Sequence, residues 1–247
     1  MNQKTAKTIA LAVLALFIVL GECRPGQAQD AKAQYTSMAP VDQYLMADRD
    51  AEIALAKSAA PAAISNDATV LVFEKDGYHT AIEGKNGFTC LLERPWMQPL
   101  DSTEYWNPKL RVPICYNPAA VRSILPYTIV TTKLLLSGMT KAQMVENIQA
   151  QVASGLLPMP EPGAMSYMMS KNQYFGDGAG RWRPHLMFHI PHVSATSWGA
   201  NLDDSPVLFD TYHHDPGPEP ETIFMVPVDH WSDGTPAMSD DSASHRH

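Results

Sequence analysis

Apolar and polar positions follow a helical period in some segments of the chain and alternate in others, and this pattern predicts the order of the elements. Apolar side chains recur at helical spacing from residue 42 to residue 60, and Pro61 ends that helix. Three runs rich in β-branched and aromatic residues follow, at 69–74, 78–84 and 87–94. Asn-Gly at the start of the third run is a strong hairpin signal, so these runs predict a meander of three strands.

The second part of the chain predicts two helices and then four strands. A proline-rich stretch with several aromatic residues, 95–116, is typical of an ordered loop. Asn117 and Pro118 begin one helix, since asparagine caps a helix N-terminus and proline suits the first helical position. Thr140 and Gln143 form a capping-box pattern at the start of the other helix. Strand-like runs then occupy residues 164–170, 185–190, 207–212 and 222–228.

Strands therefore come in adjacent runs and do not alternate with helices, which is typical of an α+β fold. We expect an antiparallel sheet of about six or seven strands with helices packed on one face. The order of elements is similar to that of PAS-like and profilin-like domains. This similarity concerns the fold alone and does not indicate a function.

The N-terminus has the pattern of a cleavable signal peptide. Two lysines precede an uncharged, mostly apolar run at residues 8–20. A membrane-spanning helix needs about 20 apolar residues, so this shorter run predicts export and no permanent membrane anchor. Small residues at Gly26 and Ala28 place the cleavage site after Ala28, with Ala33 as a second choice. We therefore expect a periplasmic or secreted protein from which a signal peptide, residues 1–28, is removed.

Composition divides the remainder into one domain and two polar ends. Residues 29–40 and 232–247 are rich in small and polar side chains, which bury too little surface to offset their ordering entropy. We expect a flexible N-terminal segment and a disordered C-terminal tail around a single α+β domain, residues 41–231. The predicted signal peptide carries three cations and one anion, so its removal takes the formal net charge from −8 to −10. Such a charge disfavours nucleic acid and anionic lipid surfaces as partners.

Two cysteines, Cys90 and Cys115, remain after the predicted cleavage. An oxidising compartment favours the pairing of such cysteines, so we expect a structural disulfide between them. The alternative is that one of them is a thiolate nucleophile. That role would need a nearby histidine and an electropositive pocket.

Common catalytic signatures do not occur in the sequence. It contains no G-x-S-x-G, H-E-x-x-H, Walker-type or C-x-x-C pattern. The glycine-rich segment 176–180 is followed by Arg-Trp-Arg-Pro and not by an apolar helix, which excludes a Rossmann turn. The catalytic residues and any cofactor are therefore unknown from the sequence.

The glycine-rich segment and the strand after it are the strongest candidate for a ligand site. Two arginines flank a tryptophan at residues 181–183, which gives local positive charge in an acidic chain, and glycines expose backbone amides. Two histidines on one face of the next strand could form a wall. This mixture predicts a site for a small anionic or aromatic ligand. The alternative is a surface loop whose arginines pair with acids. The candidate ligand-binding residues are Arg181, Trp182, Arg183, His185 and His189.

Histidines raise a second hypothesis, a metal site. His185 and His189 would lie about 13 Å apart on a strand that rises ~3.3 Å per residue, too far to share one ion whose ligands lie within about 2.2 Å. A site would therefore need side chains from the strand that follows. The alternative is that these are hydrogen-bonded structural histidines. The candidate metal-ligating residues are His189, His192, His213 and His214.

Six stretches of the chain resemble a family of secreted bacterial proteins with no assigned function. They are residues 51–65 (AEIALAKSAAPAAIS), 83–96 (EGKNGFTCLLERPW), 111–120 (RVPICYNPAA), 163–173 (GAMSYMMSKNQ), 182–191 (WRPHLMFHIP) and 197–202 (SWGANL). The resemblance spans most of the chain after residue 28. It implies export, with no activity, cofactor or catalytic residue to carry over.

These observations predict an exported soluble protein. The leading prediction for its function is a small-molecule-binding domain. One alternative is a metal-dependent or hydrolytic enzyme that uses the region from His185 to Asp215, and another is a structural or protein-interaction domain. Polar groups that converge in one apolar cleft would favour a ligand site or an enzyme, whereas dispersed polar groups would favour the third function. Whether the protein is an enzyme, and its oligomeric state, are open at the level of sequence.

Overall fold

The computed structural model describes residues 35–178, 180–209 and 220–237, which belong to one compact unit. The helices of these residues are α1 Arg49–Lys57, α2 Ala62–Ser65, α3 Pro118–Ser123, α4 Leu125–Leu136 and α5 Lys141–Ala153, with 3₁₀ turns at Val41–Tyr44, Pro95–Met97 and Ala195–Trp198. The strands are β1 Thr69–Glu74, β2 Gly77–Ile82, β3 Thr89–Glu93, β4 Val112–Tyr116, β5 Met165–Met168, β6 His185–Pro191, β7 Leu208–Phe209 and β8 Glu221–Pro227. The predicted α+β class is confirmed.

Among the described residues, the strands form one sheet of eight in the order β2-β1-β3-β4-β5-β6-β8-β7. The sheet is mixed, because β1 and β3 run parallel while the other neighbours are antiparallel. The prediction of a purely antiparallel sheet with six or seven strands was therefore only partly right. The unforeseen strand is β4, which lies inside the predicted loop 95–116. Its Pro113 is tolerated there because β5 pairs with only the last two residues of β4, so β4 has a single strand neighbour at Pro113.

The predicted helix over 42–60 is shorter in the structure. A 3₁₀ turn at Val41–Tyr44 is followed by extended backbone at Leu45, and α1 begins only after Asp48. The Asp48 carboxylate accepts hydrogen bonds from the backbone N–H groups of Asp50 and Ala51, at 2.9 and 3.1 Å. This N-cap satisfies donors that a helix start leaves unpaired, so Asp48 sets the boundary.

Helices pack on both faces of the sheet, so the prediction that they lie on one face was wrong. Leu92 of β3 packs with α1, whereas the preceding residue, Leu91, packs with α3 and the start of α4. Successive side chains of a strand point to opposite faces, which places these helices on opposite sides. The physical reason is that all residues of β3 and β4 are buried, and a strand that is buried along its whole length needs a cover on each face.

One apolar stretch, residues 118–136, comprises α3 and α4 without a break in helical backbone. It is the one stretch within the described residues that is long and apolar enough to cross a membrane, and half of its most apolar window is buried in the fold. Its Tyr127 and Leu135 pack in a cluster with Met144 and Ile148 of α5. The apolar composition is therefore that of a core helix packed between the sheet and α5.

Cys90 and Cys115 lie at paired positions of β3 and β4, with their sulfur atoms at disulfide distance, 2.09 Å. The pair is fully buried and packs against Ala59 and Ala60, which follow α1 in the chain. The structure thus brings together the two cysteines that the sequence predicted to pair. Such a pair is compatible with a periplasmic or extracellular location.

The described parts of the two predicted flexible ends contact the domain. The Tyr35 hydroxyl donates to Asp177 at 2.7 Å. Towards the C-terminus, the Ser232 N–H donates to the carbonyl of Met169 at 2.9 Å, and Lys171 forms an ion pair with Asp233. The predicted signal peptide, residues 1–28, and the end of the tail after residue 237 lie outside the described residues, so the domain boundaries stay a prediction.

Candidate functional site

A cavity of about 420 Å³ lies against the sheet face that carries α3 and α4. Alternate residues of each strand reach it, because the period of a strand is two. The floor is formed by Glu93 of β3, Ile114 and Tyr116 of β4, Met168 of β5, His185, Met187 and His189 of β6, and Glu221, Ile223 and Met225 of β8.

The cover of the cavity comes from helical and loop residues. Ile124 and two residues of α4, Tyr127 and Thr128, close one side. The segment 97–104 forms a rim, where Asp101 and Thr103 are exposed, so the cavity reaches the surface there. Phe175 and Trp182 complete the wall, with their rings stacked at a centroid distance of 5.0 Å.

Two loops meet at the rim around Glu104. Its carboxylate accepts from the Asn107 side-chain amide at 2.6 Å and from the Asp177 backbone N–H at 3.2 Å. Gly176 makes this approach sterically feasible: its φ is 144°, and a Cβ atom there would lie 2.8 Å from the Glu104 side chain. A side chain at residue 176 would therefore push the two loops apart.

The imidazole of His189 is held between two strands at the floor. Its Nε2 lies 3.0 Å from the Ser166 hydroxyl oxygen of β5, and its Nδ1 lies 2.8 Å from a carboxylate oxygen of Glu221 at the start of β8. Sheet register explains the arrangement, because Ser166 pairs with Met187 and Glu221 pairs with Pro191, so each lies diagonal to His189 on the same face. The ring is 3% exposed, and Ser166 has no exposed surface.

A second polar group faces the cavity from β3 and β4. The Tyr116 hydroxyl donates to the Glu93 carboxylate at 2.8 Å and lies 3.4 Å from the Thr128 hydroxyl of α4. Burial, and then the negative charge of Glu93, raise the pKa of Tyr116 well above its ordinary value. Tyr116 therefore stays a hydrogen-bond donor to Glu93 over the physiological pH range.

His185 lines the opposite end of the same strand and is 4% exposed. Its Nδ1 lies 2.7 Å from the backbone carbonyl of Arg183. A carbonyl only accepts, so Nδ1 carries the hydrogen in this contact. The imidazole packs beside Trp182 at a ring-centroid distance of 6.0 Å.

Three of the five predicted ligand-binding residues line the cavity: Trp182, His185 and His189. Arg181 and Arg183 are exposed and are not part of the lining. The Arg181 guanidinium lies over the Trp231 ring at 5.4 Å and donates to the Lys171 carbonyl at 3.3 Å. The guanidinium groups on which the expectation of an anionic ligand depended thus lie elsewhere, and a ligand at this site stays a prediction.

The predicted metal set is not brought together by the part of the chain that the structure describes. Both nitrogens of His189 already have hydrogen-bond partners, and His192 is exposed beyond the end of β6. His213 and His214 lie outside the described residues. Among described residues, one group of three could share an ion, namely Glu74, Asp76 and His79 on the β1–β2 hairpin, away from the cavity. There the His79 Nε2 lies 2.7 Å from the Asp76 carboxylate.

Sequence reasoning did not single out Glu93, Tyr116, Ser166 or Glu221. A signal was available for Glu93, since it is the one acid in the otherwise apolar run Thr89–Glu93 and is 9% exposed. Ser166 likewise interrupts a run of apolar side chains. Neither signal names a partner, because the partners lie on strands distant in sequence.

Comparisons with known proteins add nothing to this geometry. No protein-family model matches the chain, and no curated protein or solved structure matches it significantly. The functional argument therefore depends on the cavity and its lining.

Proposed function

We propose that this chain is an exported protein that binds a small organic molecule in the cavity between the sheet and α4. The observation that carries the proposal is a 420 Å³ space on whose apolar walls the polar groups of Glu93, His189 and Glu221 converge. Ligand sites are typically cavities of about 300 to 1,000 Å³, apolar in most of their lining and with a few placed polar groups. The cavity meets each of these conditions.

The polar groups of the floor are held in place before any ligand binds. His189 is fixed from both sides by Ser166 and Glu221, and Glu93 is fixed by Tyr116. A carboxylate has about four acceptor positions, so Glu221 retains capacity for a ligand after its contact with His189. Fixed rotamers reduce the entropy that a side chain loses on binding, which favours affinity.

Export is the second part of the proposal. It is supported by the charged start, short apolar run and small-residue cleavage site, and it is compatible with the paired cysteines. Intact-mass measurement of the periplasmic or secreted protein should show the loss of residues 1–28. Full-length protein with Met1 retained in the membrane fraction would contradict export.

Binding is tested with a fragment library, the methyl resonances of ¹³C-methionine as reporters, and a pair of variants. Hits should perturb Met168, Met187 and Met225, which line the cavity, and leave exposed Met159 unchanged. Met187→Trp should fill the space and abolish the perturbation. Leu186→Trp is the matched control, because Leu186 is the neighbouring residue on the opposite face of β6. Hits that perturb residues outside the cavity, or that bind Met187→Trp unchanged, would contradict the proposal.

A hydrolytic function is the second candidate, and one observation favours it. Ser166, His189 and Glu221 form a hydroxyl–imidazole–carboxylate chain with contacts of 3.0 and 2.8 Å, the order required of a nucleophile, its base and the group that orients the base. The burial of Ser166 argues against it, because the residue has no exposed surface and does not line the cavity, so an acyl group cannot reach the hydroxyl in this structure. A fluorophosphonate probe should leave Ser166 unlabelled if the protein only binds ligand. Labelling of Ser166 that His189→Ala abolishes would establish the hydrolase.

A further inference from the structure

We infer that the ligand of this cavity is an organic cation, an amine or quaternary ammonium group carried on an apolar body. The inference rests on the proposed function and narrows the class of its ligand. Three features of the lining carry it: the sign of its charges, the aromatic rings, and the spacing of its acids.

The charged side chains of the lining are predominantly acidic. Four carboxylic acids line the cavity, and the described lining residues include no lysine or arginine. Its two histidines could contribute at most two positive charges, so the lining is negative in either protonation state of these rings when the acids are ionised. Glu93 accepts from the uncharged Tyr116 hydroxyl, Glu104 accepts from the Asn107 amide and a backbone N–H, and Glu221 accepts from the ring of His189. Asp101 interacts electrostatically with Lys141, which is not part of the lining. The four acids are Glu93, Asp101, Glu104 and Glu221.

Aromatic rings surround the space that these acids face. The walls include Tyr116, Tyr127, Phe175 and Trp182. A cation over an aromatic face is attracted by the ring quadrupole, and aromatic cages bind quaternary ammonium groups in this way. The apolar part of the ligand would contact Met187, which pairs with Met225 of β8 and belongs to the apolar cluster of this face.

No three acidic or histidine ligand atoms of the described lining lie close enough together to share a metal ion. Within the described residues, one group of three acidic or histidine side chains has ligand atoms within 4.8 Å of one another. That group lies on the β1–β2 hairpin and includes no residue of the cavity. A metal ion needs converging ligand atoms at about 2.0 to 2.6 Å. An organic ammonium group needs no such shell of converging ligand atoms, so it tolerates acids at several sides of the cavity.

The test uses three probes with one shared body: 4-phenylbutylammonium, 4-phenylbutanol and 4-phenylbutanoate, titrated against the full mature chain by isothermal calorimetry and methionine-methyl NMR. The cation should bind at least tenfold more tightly than the alcohol, and the carboxylate should not bind. Glu93→Gln and Glu221→Gln should each reduce the preference for the cation over the alcohol several-fold, since glutamine keeps the shape and an acceptor but removes the charge. Glu146→Gln, on the exposed side of α5, is the control and should leave the preference unchanged.

Equal or tighter binding of the alcohol or the carboxylate would overturn the inference and leave small-molecule binding intact. Failure of all three probes, with a neutral or anionic library fragment bound in the cavity, would have the same meaning. No ligand of any charge at the cavity methionines would overturn the proposed function as well. The relative affinities of the three probes for the wild-type protein test the charge of the ligand even if one glutamine variant does not fold.

Discussion

Glu93 and Arg94 are consecutive in sequence and serve two different regions of the molecule. Arg94 is fully buried on the α1 side, where it pairs with Glu52 of α1 at 2.8 Å and donates to the Tyr44 carbonyl at 3.0 Å. Glu93 faces the cavity and accepts from the neutral hydroxyl of Tyr116. The α1 side neutralises its buried charge within the fold, whereas the cavity side presents acids to a space that a ligand can enter.

The two faces of the sheet also differ in how closely the helices pack against the strands. On the α1 side, small residues such as Ala56 and Ala59 are fully buried, which lets the helix approach β3 and β4 closely. On the other side, α4 and the segment 97–104 leave a space of about 420 Å³ over the strands. Both faces therefore carry buried apolar clusters, and the face covered by α3 and α4 also encloses a space that a ligand can enter.

The largest expected effect comes from neighbouring substitutions at the two charges. Arg94→Gln should destabilise the protein by about 3 to 5 kcal/mol, because it leaves the buried Glu52 carboxylate without its cation. Glu93→Gln should cost about 1 kcal/mol or less, since glutamine can still accept from Tyr116. Urea unfolding of both variants measures the difference. Equal losses would show that Glu93 is as structural as Arg94 and would remove the contrast.

The next effect concerns the paired cysteines, which belong to the α1 side. Their pairing closes a sequence separation of 25 residues. In the chain-entropy account a loop of this size stabilises the folded state by about 3.5 kcal/mol, so the double variant Cys90→Ala, Cys115→Ala should lose roughly that amount. Wild-type protein unfolded under a reductant is the control and should lose a similar amount. Two free thiols titrated in the unreduced, unfolded protein would refute the disulfide.

A smaller difference is expected from apolar truncations on the two faces. Leu92→Ala on the α1 side should cost about 3 kcal/mol, since it opens a new void in a closely packed cluster. Met225→Ala, in the cavity wall, should cost about 1 to 2 kcal/mol because the removed atoms already border an open space. Thermal and urea unfolding compare the two. A cost for Met225→Ala that equals that of Leu92→Ala would mean that the cavity is closed and packed in solution.

The smallest effect at neutral pH comes from the buried tyrosines. Burial is the main cause that raises the pKa of both Tyr78 and Tyr116 above the ordinary value. The pKa of each tyrosine is higher in the folded state than in the unfolded state, where tyrosine titrates at about pH 10. The contribution of these groups to the free energy of unfolding is therefore complete below about pH 10 and is lost as the pH rises through the folded-state pKa. Unfolding free energies should therefore fall at alkaline pH, with less loss in Tyr116→Phe. An alkaline loss of stability that is as large in Tyr116→Phe as in the wild type would contradict this.

Sequence reasoning located the helices well where a local cap marks their start. The capping box of Thr140 and Gln143 does begin α5, and the Asn117 side chain accepts from the Ala120 N–H at 2.9 Å at the start of α3. It was wrong where a distant contact decides. The predicted three-strand meander was wrong, because β1 pairs with both β2 and β3, and the two strands that flank the Asn-Gly turn do not pair with each other. The proline-rich stretch 95–116 looked like a loop throughout, but pairing with β3 makes its last residues a strand.

The predicted site residues show the same difference between local and distant signals. Trp182, His185 and His189 were proposed from composition and line the cavity, whereas Arg181 and Arg183 come from the same segment and lie outside it. Spacing along β6 predicted that the two histidines share a face. It could not indicate that His189 would meet Ser166 and Glu221, which are 23 and 32 residues away.

The sequence by itself determined the α+β class, the starts of α3 and α5 and the two cysteines available to pair, because capping, periodicity and composition act over a few residues. The tertiary structure alone decided which polar groups face one space. That choice depends on the register between β5, β6 and β8 and on which face of the sheet each helix covers. Both are set by burial summed over the whole domain, and no short segment of the chain encodes them.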